Sequence, residues 1–249
     1  MIIIAVISPI GGSGKSSLAL GLASILANLQ HPVVLVEADP ANLLAYQLGK
    51  PELTQQGLAQ GLTNNTSWAH LITTLEDNVR FIPFGAQSFQ ESMDLSLQFA
   101  HNPKALETVI HGCATSDQDI FIFDTAKLPN FLAHAVLKIS DLNLIPLTPD
   151  AHSLLSIDPT IQCLLEGRGS SYFLLNRFKA NQALHLDIWT LAKIKLSHRL
   201  LPFYLVEDQA LPEAFASGLS LQDYSPSSQL TQGFHQLANW IDQELHSYA

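Results

Sequence analysis

A glycine-rich segment near the start of the chain constrains the possible folds more than any other feature. The segment SPIGGSGKSS (8–17) follows an apolar run, 2–7, and opens a run with helical spacing of apolar residues, 15–29. Strand, glycine turn and helix in this order form the context in which a phosphate-binding loop is credible. The turn directs backbone N–H groups at an anion, and the helix dipole favours negative charge there. The sequence therefore predicts a nucleotide phosphate site; the alternative is an ordinary glycine turn before a helix.

The side chains of this segment suit a nucleoside triphosphate with Mg²⁺. Lys15 would reach the β- and γ-phosphates, Ser16 would bind the metal, and Ser17 would lie near the α-phosphate. The glycines that allow the tight turn are Gly11, Gly12 and Gly14. The strict phosphate-loop pattern also needs a glycine at position 9, where this chain has Pro9.

Short apolar runs alternate with longer amphipathic segments along the 249 residues. The runs are apolar on both faces, which is typical of parallel strands covered on both sides. We expect strands at 2–7, 32–37, 79–84, 119–124, 142–147, 171–176 and 201–206. We expect helices at 15–29, 103–113, 130–139, 151–166, 181–196 and 227–246. This alternation predicts one α/β domain over 1–249, a doubly wound, mostly parallel sheet of about seven strands with helices on both faces. The least regular stretch, 49–78, is the candidate insertion or lid.

Carboxylates that follow two strands are candidates for managing the metal and the attacking water. Asp124 ends the run DIFIFD and would hold Mg²⁺; the alternative is a cap on the turn at 125–126. Asp39, just past the second strand, could orient water; it also fits a helix N-cap followed by Pro40. Glu37 would point towards the outer shell of the metal.

Composition argues against several classes of partner. The formal net charge is −10, and no Lys or Arg follows Arg199. Nucleic-acid binding needs a basic face, so DNA and anionic lipid are disfavoured. The first apolar run has no basic residues before it and is too short for an export signal or a membrane span, so we expect a cytoplasmic chain without membrane insertion. The histidines and cysteines lack zinc-site spacing.

The loop and its carboxylates together resemble the deviant Walker A ATPases, the MinD/ParA group of P-loop proteins. The pattern of that group is Lys-Gly-Gly-x-Gly-Lys-Ser/Thr, which does not include position 9. Within the group the chain most resembles the BcsQ family of cellulose-biosynthesis proteins. The segments that carry this likeness are ADPANLLAYQLG (38–49), VRFIPFG (79–85), FLLNRF (173–178), RLLPFYLVEDQALPEAFASG (199–218) and LANWI (237–241).

The resemblance implies a homodimer with ATP and Mg²⁺ at the interface, taking part in a bacterial cellulose synthase complex with BcsR-like and BcsE-like proteins. It implies catalytic roles for Lys15, Asp39 and Asp124, and metal binding by Ser16, Asp39 and Asp124. It also implies that Asn176 reads adenine and that the loop 202–208 closes over the base. The nucleotide-binding residues implied in this way are Gly11, Gly12, Ser13, Gly14, Lys15, Ser16, Ser17, Asn176, Arg177, Pro202, Phe203, Glu207 and Asp208.

One position departs from the group pattern. The signature lysine, which precedes the first loop glycine and reaches the partner's phosphate, is replaced here by Ile10. Isoleucine supplies no charge to a developing phosphoryl oxygen, so we expect slow or absent hydrolysis. Ile10 could instead pack apolar surface across a dimer. The alternatives are a scaffold that keeps ATP as a structural ligand, and a partitioning or positioning ATPase of the ParA or MinD kind.

Overall fold

An eight-stranded sheet forms the centre of the protein in the computed structural model, which describes residues 1–64, 68–75, 79–102 and 104–247. The strand order is β3-β4-β2-β5-β1-β6-β7-β8, and every pairing is parallel except β3 with β4. The strands are β1 Ile2–Val6, β2 Val33–Ala38, β3 Thr73–Thr74, β4 Arg80–Ile82, β5 Ile120–Thr125, β6 Leu142–Leu147, β7 Ser170–Phe178 and β8 Leu200–Val206.

Helices cover both faces of this sheet. Residues alternate between two buried apolar clusters along the strands other than β3, as the pleat of a strand requires. The helices are α1 Lys15–Asn28, α2 Leu44–Gln47, α3 Leu58–Asn64, α4 Phe89–His101, α5 Ala105–Cys113, α6 Phe131–Ile139, α7 Ala151–Leu155, α8 Ile157–Leu164, α9 Ala183–Leu196, α10 Ala210–Ala216, α11 Leu221–Tyr224 and α12 Gln229–Ser247. Helices α1, α2, α10, α11 and α12 pack on one face, and α3, α4, α5, α6, α8 and α9 pack on the other. The predicted doubly wound α/β class is confirmed, with eight strands rather than seven.

The stretch 49–78, expected to be an insertion or lid, contributes to the sheet. It contains the eighth strand, β3, which adds an antiparallel edge to β4. The first amides of α3, those of Leu58 and Ala59, donate hydrogen bonds of 2.8 and 2.9 Å to the carbonyls of Pro83 and Phe84. The part of this stretch that the structure describes is therefore bonded to the end of β4. Residues 65–67 and 76–78 of the stretch lie outside the described ranges.

One predicted helix was wrong in its extent, and five helices were not predicted, namely α2, α3, α4, α10 and α11. The helix expected at 151–166 is two helices that meet at Ser156. Pro159 accounts for the break, since proline has no N–H to continue the helix and its ring clashes with the carbonyl four residues back, that of Leu155. Helix α4 was not predicted, although Ser88 and Glu91 form a capping box at its start. That Ser-x-x-Glu spacing was the signal in the sequence.

All loops that follow the parallel strands β1, β2, β4, β5, β6 and β7 open at the carboxyl edge of the sheet. The glycine-rich segment follows β1, and β2 and β5, which carry Glu37 and Asp124, lie beside each other next to it. The carboxyl edge of a doubly wound sheet is where such folds bind ligands. No helix within the described residues is long and apolar enough to cross a membrane.

Candidate functional site

The glycine-rich segment forms a tight turn that opens directly into α1. Gly12 and Gly14 have φ values of 76° and 89°, which favour glycine because a Cβ would strain the backbone. A Cβ added at Gly11 or Gly12 would meet no atom within 4 Å, so there is open space beside both glycines. The hydroxyl of Ser13 is buried and has no hydrogen-bond partner. The turn thus has the geometry of an anion cradle at a helix N-terminus.

Asp124 lies in β5 beside this turn and is 2% exposed. Burial raises the pKa of Asp124 to about 7. The hydrogen bond from the Ser16 side chain and the charge of Lys15 act in the opposite direction but do not cancel the effect of burial. Its Oδ1 oxygen is buried without a partner. A buried unpaired oxygen costs about 1–3 kcal/mol, so a cation or a donor at this place would relieve a real penalty. The carboxylate receives the Ser16 bond and does not act only as a cap on the turn at 125–126.

Lys15 begins α1 in a partly buried position. Burial lowers the pKa of Lys15, and the charges of Asp124 and Asp39 oppose this change. The two carboxylates that flank the ammonium are the two that the sequence singled out. A phosphate group near Lys15 would favour its charged form in the same way that these carboxylates do.

Asp39 follows β2 and accepts a hydrogen bond of 2.9 Å from the amide of Ala41. This is an Asx turn, and no helix begins at Pro40, so the N-cap alternative for Asp39 is wrong. Glu37 is 1% exposed, and burial raises its pKa. Its two oxygens accept from the amides of Leu44, at 2.7 Å, and Phe84, at 3.4 Å. Glu37 therefore anchors α2 to the end of β4 through both of its oxygens.

Hydrogen bonds tie the segments around this site to one another. The amide of Leu128, after β5, donates to the carbonyl of Ser8, and the amide of Ile10 donates to the Ser8 hydroxyl. Ile10 is only 8% exposed within its own chain. It therefore offers almost no apolar surface to a second chain, contrary to the suggestion made from the sequence.

A cleft of about 440 Å³ opens beside the glycine turn. Asn176, 8% exposed at the end of β7, borders it and donates from Nδ2 to the carbonyl of Ser13 over 2.9 Å. A Cβ on Gly14 would lie 2.3 Å from that same nitrogen. The residues that line the cleft are Gly12, Gly14, Lys15, Ser16, Ser17, Gln47, Asn176, Arg177, Val206, Glu207, Asp208, Gln209, Leu211, Pro212 and Leu230. Gly11, Ser13, Asp39 and Asp124 border the same turn without lining the cleft.

Ion pairs hold the rim of the cleft between β7 and β8. Arg177 lies 2.8 Å from Glu207, and Lys179 lies 2.5 Å from the other oxygen of that carboxylate. The hydrogen bonds from Lys179 and Arg177 lower the pKa of Glu207. Arg177 has a φ of 58°, a conformation that costs a non-glycine residue on the order of 1 kcal/mol and persists where the surroundings enforce it.

Pro202 and Phe203 do not reach this cleft. They lie inside β8 and line a different hollow with residues of α12, among them His235 and Trp240. The segment at the cleft is Val206–Gln209, so the loop expected at 202–208 is corrected to its second half. The reason is that β8 continues to Val206, which keeps the first half of the segment in the sheet.

The donor set fits ATP with Mg²⁺ better than a metal held by the protein alone. No group of three or more His, Cys, Asp or Glu side chains that could hold a metal occurs among the described residues. Mg²⁺ in nucleotide sites typically takes one or two protein oxygens and completes its shell with phosphates and water. Ser16, with the unpartnered oxygen of Asp124 behind it, matches that requirement.

A family model described as cellulose biosynthesis protein BcsQ matches residues 1–241. The chain belongs to the BcsQ family. The resemblance seen in the sequence is thereby confirmed. The cellulose biosynthesis protein BcsQ of Escherichia coli K12 is 24% identical over 238 residues, which cover 92% of this chain and 90% of that protein. The protein of the same name from Salmonella typhi gives the same identity and coverage.

Solved structures confirm the fold of this BcsQ-family chain. The septum site-determining protein MinD of Pyrococcus horikoshii, complexed with Mg-ADP, has a TM-score of 0.80 at 21% identity and covers 100% of this chain and 98% of its own. The ATP complex of a McdA variant from Cyanothece has a TM-score of 0.81 at 18% identity, with 97% and 96% coverage. At these identities the likeness shows the MinD/ParA type of P-loop fold and no more.

Sequence reasoning missed several residues of the cleft. Gln47, Gln209 and Leu211 were not singled out, although the first lies in ADPANLLAYQLG and the others in the segment that follows β8. Their spacing carries no local motif, because they meet only when α2 and α10 pack over α1. The roles predicted for the remaining site residues stay predictions.

Proposed function

We propose that this BcsQ-family protein binds ATP with Mg²⁺ at the glycine turn and dimerises around the nucleotide. In this state it assembles, positions or regulates a bacterial cellulose synthase complex. One observation carries the proposal: Asp124, buried with an unpartnered oxygen, is hydrogen-bonded to Ser16 at the mouth of an open glycine cradle. The names of the relatives in cellulose biosynthesis and the nucleotide complexes of the structural neighbours support it.

The chain's own groups divide the work of a hydrolytic reaction. The loop amides and the ammonium of Lys15 bind the phosphates and stabilise charge that develops on them. Ser16 and Asp124 hold the metal, which when bound neutralises part of the phosphate charge. Asp39, held in its Asx turn next to Lys15, orients the attacking water and accepts its proton. The Oδ1 oxygen of Asp39 is held by the amide of Ala41, so contact of Asp39 with the metal or with the attacking water would use Oδ2.

Exposed apolar side chains support dimerisation through the carboxyl edge. Phe89 begins α4 and is 81% exposed, and Phe131 begins the neighbouring α6 and is also exposed. Leu43 and Tyr46, after β2, are exposed at the same edge. Exposed large apolar groups at the edge where a ligand site opens can mark an interaction surface. A second copy placed over the nucleotide would cover them.

Slow turnover is part of the proposal. Ile10 provides no cation, and its burial keeps it from contributing to a partner's site. Removing one transition-state cation can cost orders of magnitude in rate. We therefore assign the protein a long-lived ATP state, which suits the assembly of a complex better than rapid cycling does.

Two measurements test this function. Calorimetric titration with ATP and Mg²⁺ should show one site per chain in the wild type and none in Lys15→Ala. Phosphate release should then be slow in the wild type and at background in Asp39→Ala, which should still bind ATP. Lack of ATP binding by the wild type would refute the proposal.

A non-hydrolysing scaffold is the second candidate, and the identity of residue 10 favours it. It predicts ATP binding with equal background phosphate release from the wild type and Asp39→Ala. A clear loss of phosphate release in the variant would reject the scaffold and retain the switch.

The partners follow from the family. We propose BcsR-like and BcsE-like proteins as the components that recognise the ATP-bound dimer. We also propose that the protein is cytoplasmic and is recruited to the inner membrane through the synthase complex. Nucleic acid is excluded from the proposal by the charge of −10. Retention of the protein on DNA with ATP at physiological salt would revive the partitioning alternative.

A further inference from the structure

Gln47 is the last residue of α2 and lines the cleft beside the glycine turn, together with Ser17 of α1 and Leu211 of α10. Its side-chain oxygen, Oε1, is buried and has no hydrogen-bond partner. Of the described residues that line the cleft, Gln47 alone has a buried side-chain acceptor without a partner. A glutamine oxygen in this state is a place where a donor is missing.

The chemistry of ATP restricts what that donor can be. The triphosphate carries only acceptor oxygens at neutral pH and cannot satisfy a carbonyl oxygen. The donors of ATP all lie on its nucleoside part, namely the two ribose hydroxyls and the amine of adenine. Gln47 lines the cleft that Lys15 and Ser17 also line, so a donor that reached its amide oxygen from bound ATP would come from the nucleoside end.

Backbone hydrogen bonds hold α2 at both of its ends, on either side of the turn that carries Gln47. The amide of Leu44, at the start of α2, donates to Glu37 over 2.7 Å, and the side chains of Leu44 and Ala45 are buried. The amide of Lys50 donates to the carbonyl of Ala45 over 3.0 Å and closes the helix at its other end. Glu37 also connects α2 to the end of β4 through Phe84.

Helix α2 belongs to the same short segment as Asp39. Eight positions separate Asp39 from Gln47, and the segment is held at Ala41, at Leu44 and at its exit. A ligand bond to Gln47 would restrain this segment from the nucleoside side, while the phosphate end of the ligand lies towards Asp39. Recognition of the nucleoside and placement of Asp39 would then be coupled through one helical turn.

We propose that Gln47 accepts a hydrogen bond from one donor on the nucleoside part of ATP, a ribose hydroxyl or the adenine amine, and so recognises the nucleoside while restraining the segment that carries Asp39. This rests on the proposed function, since it concerns the same nucleotide site. In the free protein the unpartnered oxygen of Gln47 costs free energy. A hydrogen bond from the ligand removes this cost, so the bond increases the affinity for ATP.

The test compares wild type with Gln47→Leu, which removes the acceptor at nearly constant size, and with Gln56→Leu as the matched control. Gln56 is exposed, lies nine residues away and is outside the cleft. The ligands are ATP, 2′-deoxy-ATP, 3′-deoxy-ATP and purine riboside triphosphate, each with Mg²⁺, and tripolyphosphate without a nucleoside. Affinities are measured by calorimetric titration.

We expect Gln47→Leu to bind ATP about tenfold more weakly, as the loss of one buried hydrogen bond predicts. The wild type should bind one of the three analogues about tenfold more weakly than it binds ATP. Gln47→Leu should bind that analogue as tightly as it binds ATP. Tripolyphosphate should bind both proteins equally. The analogue that shows this pattern identifies the donor as the 2′-hydroxyl, the 3′-hydroxyl or the amine.

Thermal unfolding without ligand separates this role from a structural one. Replacing an unsatisfied buried acceptor by an apolar group relieves its penalty, so Gln47→Leu should melt at a temperature equal to or above that of the wild type. A structural glutamine would give a lower melting temperature.

Three results would overturn the inference while leaving ATP binding intact. The first is that Gln47→Leu binds ATP as tightly as the wild type does. The second is that, for every analogue, the loss of affinity caused by the analogue and the loss caused by Gln47→Leu multiply. The third is that Gln47→Leu loses as much affinity for tripolyphosphate as it loses for ATP. Absence of ATP binding by the wild type would instead refute the proposed function itself.

Discussion

The three glycines of the turn differ in ways that predict three different costs of substitution by alanine. Gly11 has neither a positive φ nor an atom within 4 Å of an added Cβ. Gly12 has a φ of 76° but open space. Gly14 has a φ of 89°, and its Cβ would lie 2.3 Å from Nδ2 of Asn176. The series therefore separates backbone strain from steric conflict within four residues of chain.

The magnitudes follow from these geometries. Gly11→Ala should change the free energy of unfolding by less than about 0.5 kcal/mol, as for other unstrained surface changes. Gly12→Ala should cost about 1–2 kcal/mol through left-handed strain. Gly14→Ala should have the same backbone strain and should also lose the hydrogen bond from Asn176 to Ser13, worth about 1 kcal/mol. The total cost should be about 2–3 kcal/mol.

Urea unfolding of the ligand-free variants measures these values, and thermal melting provides a second reading. For a chain of this size about 2–3 kcal/mol corresponds to a fall in melting temperature of about 5–10 °C. Equal costs at Gly11 and Gly14 would refute the reasoning. So would a double variant, Gly14→Ala with Asn176→Ala, that recovered none of the loss.

Three further predictions concern turnover, assembly and acid stability. Ile10→Lys should raise the rate of phosphate release while lowering the melting temperature, since residue 10 is buried; an unchanged rate would show that the missing lysine does not limit hydrolysis. Phe89→Asp should weaken ATP-dependent dimerisation in sedimentation without affecting ATP affinity, whereas Leu97→Asp, two turns further along α4, should leave the dimer intact. Arg80→Met should destabilise the protein at pH 7 by about 3–5 kcal/mol, because Asp119 is fully buried and pairs with Arg80 at 2.9 Å. Burial alone would raise the pKa of Asp119, but hydrogen bonds from Thr115, Arg80 and Ser116 lower it below the usual 3.8. The wild type therefore keeps this stabilisation above about pH 3.8 and loses it as the pH falls further, so urea unfolding should show the two proteins converging in acid. A constant difference between them would contradict the assignment.

The turn and its neighbours could be predicted because local chemistry determines them. A positive φ requires glycine, a helix N-terminus attracts an anion, and the Lys15–Ser16 pair has one familiar use. Asp124 was found because its position at the end of an apolar strand implies the carboxyl edge. In each case a few adjacent residues carried the information.

The remaining features depend on packing between distant segments. The two-residue strand β3 pairs only because β4 presents an open edge, and TT carries no signal by itself. The burial of Ile10 depends on the bond to Ser8 and on the loop after β5. Gln47 reaches the cleft only because Glu37 holds α2 in place. The break before α8, by contrast, was visible at Pro159 and was overlooked.

The size of the protein with and without nucleotide tests the central claim most directly. Sedimentation velocity should show a monomer without ligand and a dimer with ATP and Mg²⁺, and Lys15→Ala should remain monomeric under both conditions. A wild-type chain that binds ATP but stays monomeric, alone and with BcsR-like and BcsE-like partners, would contradict the account.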